Sequence, residues 1–193
     1  MMKLNPKRMK GDAWDEGGKS GIVQILISHE EGKINSFQFA YVDQKGDVRH
    51  SEIHGQLNGW KFNIVTFDYP SEFLTSMSGL YDYQGLVTIA FGSNKRMYGP
   101  FGMTKKTGDP PEFAALAPST YDKFNYEFGP GAFFAGFHGS VLSSSVNAIG
   151  IYINPITSLA QVKPVDSHIN EQEPNEEQVE SNPIDSLSEL NIK

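Results

Sequence analysis

Between Asp12 and Pro155 apolar and polar residues alternate with a period of two rather than about 3.6. Phe37, Phe39 and Tyr41 are separated by Gln38 and Ala40, and Ile149, Ile151 and Ile153 by Gly150 and Tyr152. Helical spacing is not sustained anywhere in this stretch. Turn chemistry punctuates the runs at Lys45-Gly46-Asp47, Asn58-Gly59, Gly99-Pro100-Phe101-Gly102, Gly129-Pro130-Gly131 and Gly136-Phe137-His138-Gly139, where glycine and proline supply backbone angles that strands cannot. Many short strands joined by such turns predict an all-β sandwich, barrel or prism.

A repeat narrows the choice. Ile34-Asn35-Ser36-Phe37-Gln38-Phe39, Leu86-Val87-Thr88-Ile89-Ala90-Phe91 and Val146-Asn147-Ala148-Ile149-Gly150-Ile151 share one pattern. Each has an aliphatic residue first, a small residue third, and apolar residues fourth and sixth. Three units of this kind predict internal pseudo-threefold symmetry, each unit forming one small sheet whose inner face is buried against the other two.

The character changes after Pro155. Residues 164–193 are rich in Glu, Asn, Pro and Ser and hold no aromatic residue. Such a composition cannot bury enough apolar surface to offset about 1–2 kcal/mol of ordering entropy per residue, which predicts disorder. Within it Ile184, Leu187 and Leu190 recur at three-residue spacing, the pattern of a short helix formed on a partner, and Ser186 with Glu189 has the spacing of an acid-directed phosphorylation site.

Charge follows the same division. The chain of 193 residues carries a formal −7. Residues 161–193 hold two lysines against eight acids, residues 1–10 hold the four cations Lys3, Lys7, Arg8 and Lys10, and the remainder holds 10 basic and 15 acidic residues. The expected organisation is a basic N-terminal arm at 1–10, a β-domain at 11–155, and a linker with a disordered acidic tail at 156–193. An acidic chain is a poor nucleic-acid binder, so none is expected as a partner.

The absence of cysteine excludes disulfides, thiolate metal sites and a cysteine nucleophile, and it suits a reducing compartment. Met1 to Gly21 lacks the apolar core of a secretory signal. Phe128 to Val162 contains no Asp, Glu, Lys or Arg, yet its glycine, proline and serine interruptions leave no run long enough to span a membrane, so buried strands are expected there. A soluble cytoplasmic protein, with access to the nucleus, is the expectation.

Five segments in order carry a family resemblance: Trp14-Asp15-Glu16-Gly17, Tyr69-Pro70-Ser71-Glu72-Phe73-Leu74-Thr75-Ser76-Met77-Ser78-Gly79, Tyr98-Gly99-Pro100-Phe101-Gly102, Gly136-Phe137-His138-Gly139 and Ala148-Ile149-Gly150-Ile151-Tyr152. Together they resemble the signature segments of jacalin-related plant lectins, over about Gly11 to Pro155. The resemblance implies a β-prism of three four-stranded Greek-key sheets, in agreement with the threefold repeat. It also implies a monosaccharide site at one end of the prism, where a carboxylate, rigid backbone N–H groups and an aromatic face meet the hydroxyls and C–H face of a sugar.

The family's carboxylate comes from Gly-x-x-x-Asp just before the last strand. Alignment on Ala148-Ile149-Gly150 puts Asn147 at the Asp position and Ser143 at the Gly position. The amide forfeits charge assistance, and serine disfavours a positive-φ turn. The loop is also about one residue longer than the common form. The family's glycine-rich segment ahead of the Trp-Asp motif is here Lys7-Arg8-Met9-Lys10-Gly11, which keeps only Gly11. The third wall is Leu80-Tyr81-Asp82-Tyr83-Gln84-Gly85, where Tyr81 or Tyr83 can stack on a sugar and Asp82 can accept from a hydroxyl. The expected sugar site is therefore Gly11, Tyr81, Asp82, Tyr83, Ser145, Val146 and Asn147. An insertion, Thr107 to Pro118, precedes a strand around Phe124 to Phe128 and offers a surface for partner contacts.

Enzymatic motifs are missing: no nucleophile elbow, Walker loop, dinucleotide fingerprint or His-Glu-x-x-His occurs. His50 and His54 read as strand-face residues, His138 as part of a structural turn, and Trp14 as sheet packing. No cofactor or metal is expected. Two functions stand. One is a mannose- or glucose-type lectin with a weakened site, in plant defence or stress; the other is a jacalin-like scaffold that contacts proteins through its loops and acidic tail. Either admits a homo-oligomer.

Overall fold

The computed structural model describes residues 1–102, 121–128 and 131–156. Among these residues there are thirteen strands and no helix. They form three antiparallel sheets, each built on a long central hairpin. Sheet I has the order β1 (Met2–Leu4), β13 (Ser145–Pro155), β12 (Ala132–Leu142), β2 (Asp12–Asp15). Sheet II runs β5 (Val48–His50), β4 (Lys33–Val42), β3 (Gly21–Glu30), β7 (Lys61–Thr66), with β6 (His54–Gly55) also on β4. Sheet III runs β10 (Met97–Phe101), β9 (Leu86–Ser93), β8 (Leu74–Tyr81), β11 (Asp122–Glu127).

The repeat is the core. Its first, fourth and sixth positions are Ile34, Phe37 and Phe39, Leu86, Ile89 and Phe91, and Val146, Ile149 and Ile151, all buried. Phe39 stacks on Phe137 at 4.4 Å between centroids, and Phe91 meets Phe137 edge-on at 6.1 Å, so one aromatic cluster joins the three sheets. The second repeat position has its own role. Between Ser28/Ser36 and His29/Ile34, between Leu80/Thr88 and Tyr81/Leu86, and between Ser140/Ala148 and Val141/Val146 the register slips by one residue. The extra residues are Asn35, Val87 and Asn147, so each hairpin carries a β-bulge at the same point and bends there. Gly55 lies against the carbonyl of Asn35 and Gly102 against that of Val87, both at positive φ, where an added Cβ would come within 2.1 and 2.2 Å.

Two expectations change in detail. The basic arm is not wholly outside the domain: β1 pairs with β13, Lys3 opposite Tyr152, and closes the edge of sheet I. Three residues are too short a run for periodicity to reveal. Sheet II keeps four positions, but its outermost strand is interrupted into β5 and β6, both on β4. The insertion Thr107–Pro118 and the acidic tail lie outside the described residues.

The family-like segments serve as structure. Trp14 lies over Gly139, where a Cβ would come within 2.6 Å of the indole, and stacks on His54 at 4.1 Å. His54 bonds through Nε2 to buried Glu16 at 2.8 Å, and Lys19 contacts the same carboxylate, so sheets I and II share an ionisable joint. Burial holds the His54 imidazole below its ordinary value, against the opposing pull of Glu16. His50, on β5, is exposed and apart from this joint. Glu72 is buried and accepts from Ser93 at 2.6 Å, Tyr98 at 2.7 Å and the Asp68 N–H at 3.1 Å. These bonds, the Ser93 hydroxyl foremost, hold its carboxyl down at about 2 despite burial.

Candidate functional site

The β3–β4, β8–β9 and β12–β13 turns meet at one end of the prism. There they enclose an open cleft of about 370 Å³. Its walls are Asp82 to Leu86, Leu142, Ser143, Ser145 and Val146, and Gly32-Lys33. Four of the seven expected site residues, Asp82, Tyr83, Ser145 and Val146, line it.

The β12–β13 wall is a tight turn. Ser143 and Ser144 both have positive φ, 49° and 70°, the two-residue type I′ geometry whose twist matches the strands it joins. Replacing glycine by serine therefore does not abolish the left-handed turn; the backbone accepts the strain. Asn147, the bulged residue behind this turn, is only 8% exposed. Its Oδ1 accepts from the Lys10 N–H at 2.9 Å and its Nδ2 donates to the Gln84 carbonyl at 3.2 Å. The amide thus staples the segment before β2 and the β8–β9 turn to β13, spending on the protein the bonds expected to go to a hydroxyl. Gly11 is fixed by the same packing, since at φ +84° an added Cβ would lie 2.1 Å from the Val141 carbonyl.

The β8–β9 turn divides the roles expected of its residues. Asp82 Oδ1 accepts from the Gln84 and Gly85 N–H groups at 2.8 and 2.9 Å, a self-closed Asx turn. Tyr83 projects into solvent at 79% exposure. Tyr81 does not reach the cleft: it is buried, its ring stacks on Phe124 at 4.8 Å, and its hydroxyl donates to the Ile149 carbonyl and accepts from the Ile149 N–H. Tyr81 continues the inward face of β8 set by Met77 and Gly79, which carries its ring into the core. Burial pushes the Tyr81 phenol up, which keeps it neutral.

The Gly32-Lys33 wall was missed from the sequence. It lies about 50 residues before the β8–β9 turn, and only the threefold repeat, which makes 32–33 the counterpart of 84–85 and 144–145, signals that these turns share an end. The cleft is polar and shallow, with a carboxylate, an ammonium, serine hydroxyls and an exposed phenol ring, a donor and acceptor set suited to a polyhydroxylated ligand.

Residues 8–152 match the model of the Jacalin-like lectin domain, and the chain belongs to that family. It is 34% identical over 155 residues to Protein RESTRICTED TEV MOVEMENT 1 of Arabidopsis thaliana, covering 77% of this chain and 81% of that one. It is 38% identical over 152 residues to Jacalin-related lectin 3 of the same plant, which covers 76% of this chain but only 22% of that longer relative. Among solved structures, a mannose-binding jacalin-related lectin from Ananas comosus superposes with a TM-score of 0.60 at 25% identity, covering 81% of this chain and 96% of its own. Artocarpin in complex with mannotriose superposes with a TM-score of 0.60 at 26% identity, covering 80% and 95%.

Proposed function

We propose that this protein is a carbohydrate-binding lectin of the mannose or glucose type whose site is weakened. In this reading the ligand sits in the cleft between the β8–β9 and β12–β13 turns. Tyr83 offers its face to the sugar ring, while Asp82 and the backbone of Ser145 and Val146 meet hydroxyls. Gly11, Tyr81 and Asn147 support the walls from behind. The observation that carries the reading is the cleft itself, which gathers Asp82, Tyr83, Ser145 and Val146 from two sheets. Mannose-binding relatives of the same fold support the sugar class. Because Asn147 is already committed and uncharged, affinity falls in the millimolar range, about −4 kcal/mol. Titration of the full chain with methyl-α-mannoside and mannotriose, followed by heteronuclear NMR, tests this. Shifts at residues 82–86 and 143–146 that vanish in Tyr83→Ala are expected; a silent titration overturns the reading.

A second reading rests on the same amide. If the bonds of Asn147 to Lys10 and Gln84 close the site to sugars, the domain acts as an interaction scaffold for other proteins. The relative named for restricted TEV movement points this reading toward plant defence. A glycan array on which the chain binds nothing, together with a protein partner lost on deletion of residues 163–193, favours it. Either reading places the protein in the cytoplasm, which imaging of a tagged chain checks.

A further inference from the structure

Sheet II presents an apolar stripe to solvent. Trp60, Phe62 and Ile64 are 86%, 54% and 60% exposed. They occupy alternate positions at and within β7, and the register of Phe62 opposite Ser28 and Ile64 opposite Leu26 puts them on the outer face of the sheet. β7 is also the end of its sheet, with no strand on its far side among the described residues. The corresponding strands differ. On β2 and β11, Trp14 and Phe124 lie over Gly139 and Gly79 and pack against the core. The matching place on β7 is Asn63, opposite Ile27, and the apolar residues have moved to its neighbours on the other face. Edge strands are ordinarily blunted by charge, proline or a bulge. Here Lys61 is the only charged residue from Trp60 to Thr66.

We propose that β7 is the interface of a homodimer, formed by antiparallel pairing with β7 of a second copy about a two-fold axis through Phe62. In this register Trp60 faces the partner's Ile64, Phe62 faces the partner's Phe62, and Lys61 faces the partner's Asn63. All three exposed apolar residues are thereby paired with apolar residues, and no like charges stand directly opposite. A strand meeting its own copy needs such a pattern, since an isologous contact uses the same patch twice. An anionic bilayer is a poor occupant for a chain of net charge −7. That same charge makes the two copies repel at long range, so added salt strengthens the dimer through screening.

Sedimentation velocity of the full chain over a concentration series reads the proposal, with circular dichroism confirming that each variant is folded. The expected result is a reversible dimer, tightened by salt, whose dissociation constant rises at least roughly tenfold in Phe62→Asp. Because the chain has no cysteine, single-cysteine variants report the register. Phe62→Cys at the axis is expected to give a covalent dimer under mild oxidation, whereas Ile64→Cys, which faces position 60, is not. A monomer throughout the series overturns the proposal. So does a dimer indifferent to Phe62→Asp, equal cross-linking of both cysteine variants, or a monomer that partitions onto phosphatidylcholine vesicles through Trp60.

Discussion

The two ends of the prism are held by different chemistry. At the cleft end the ties are neutral amides: Asn147 joins Lys10 and Gln84, and its repeat counterpart Asn35 donates to Asn58 at 2.9 Å. At the opposite end, where Gly21, Glu72 and Phe133 meet, the tie is the buried carboxylate of Glu72, and the joint between sheets I and II uses Glu16 and His54. Amides do not titrate, so the bonds of Asn147 are indifferent to pH, although carboxylates also serve this end: Asp82 closes the β8–β9 turn and Glu30 accepts from Asn35 at 3.4 Å. Hydrogen bonds to an ionised acceptor are stronger but exist only while the group stays charged.

The largest effect should come from the carboxylate end. Glu72→Ala leaves three donors without their acceptor, and we expect a loss of about 3 kcal/mol in chemical denaturation. Acid titration of stability tests the same contrast. His54 and His138 are both held below the ordinary 6.5 by burial, so the unfolded chain takes up protons first and stability declines as pH falls through that value. Glu72, held at about 2 against an ordinary 4.5, adds a further loss between those two values. The declines should shrink in the Glu72 variant below pH 4.5, and an unaltered acid limb would break the comparison.

Asn147→Ala comes next, at about 2 kcal/mol, since it strands an N–H and a carbonyl on two loops. Its penalty should be the same at neutral and acidic pH. Asn35→Ala should cost less, about 1 kcal/mol, because the Asn35 Oδ1 is already buried without a partner and its removal is a relief. Equal penalties at the two positions would show that the bulge, not the amide bonding, decides the cost. The smallest effect is a gain. Ser143→Asn with Ser144→Gly supplies residues that tolerate positive φ and should raise stability by up to about 1 kcal/mol, read as a higher melting temperature.

How much of this was legible depends on the distance over which each feature is encoded. The repeat at Ile34, Leu86 and Val146 is written in neighbouring residues, and all of its apolar positions are buried. The sequence reads Trp14 as sheet packing and His138 as structural; Trp14 does pack against the core, and His138 is buried, but within β12 rather than in a turn. Tyr81 misled because it borders the turn yet is still the last residue of β8, where alternation with Met77 and Gly79 sends its side chain inward. The staple formed by Asn147 was not legible, because its partners Lys10 and Gln84 are 137 and 63 residues away.

Local sequence thus determined the strands, the threefold plan and the family, because side-chain alternation acts over a few residues; turn chemistry was a weaker guide, since Gly99-Pro100-Phe101 and Gly136-Phe137-His138-Gly139 run inside β10 and β12. The tertiary structure alone decided which turns share an end, that Lys33 stands beside Asp82 and Ser145, and that an amide expected to meet a sugar is spent on two loops. Hydrogen-bond partners are chosen by what the packed sheets bring within about 3 Å, and that proximity is a property of the assembled prism.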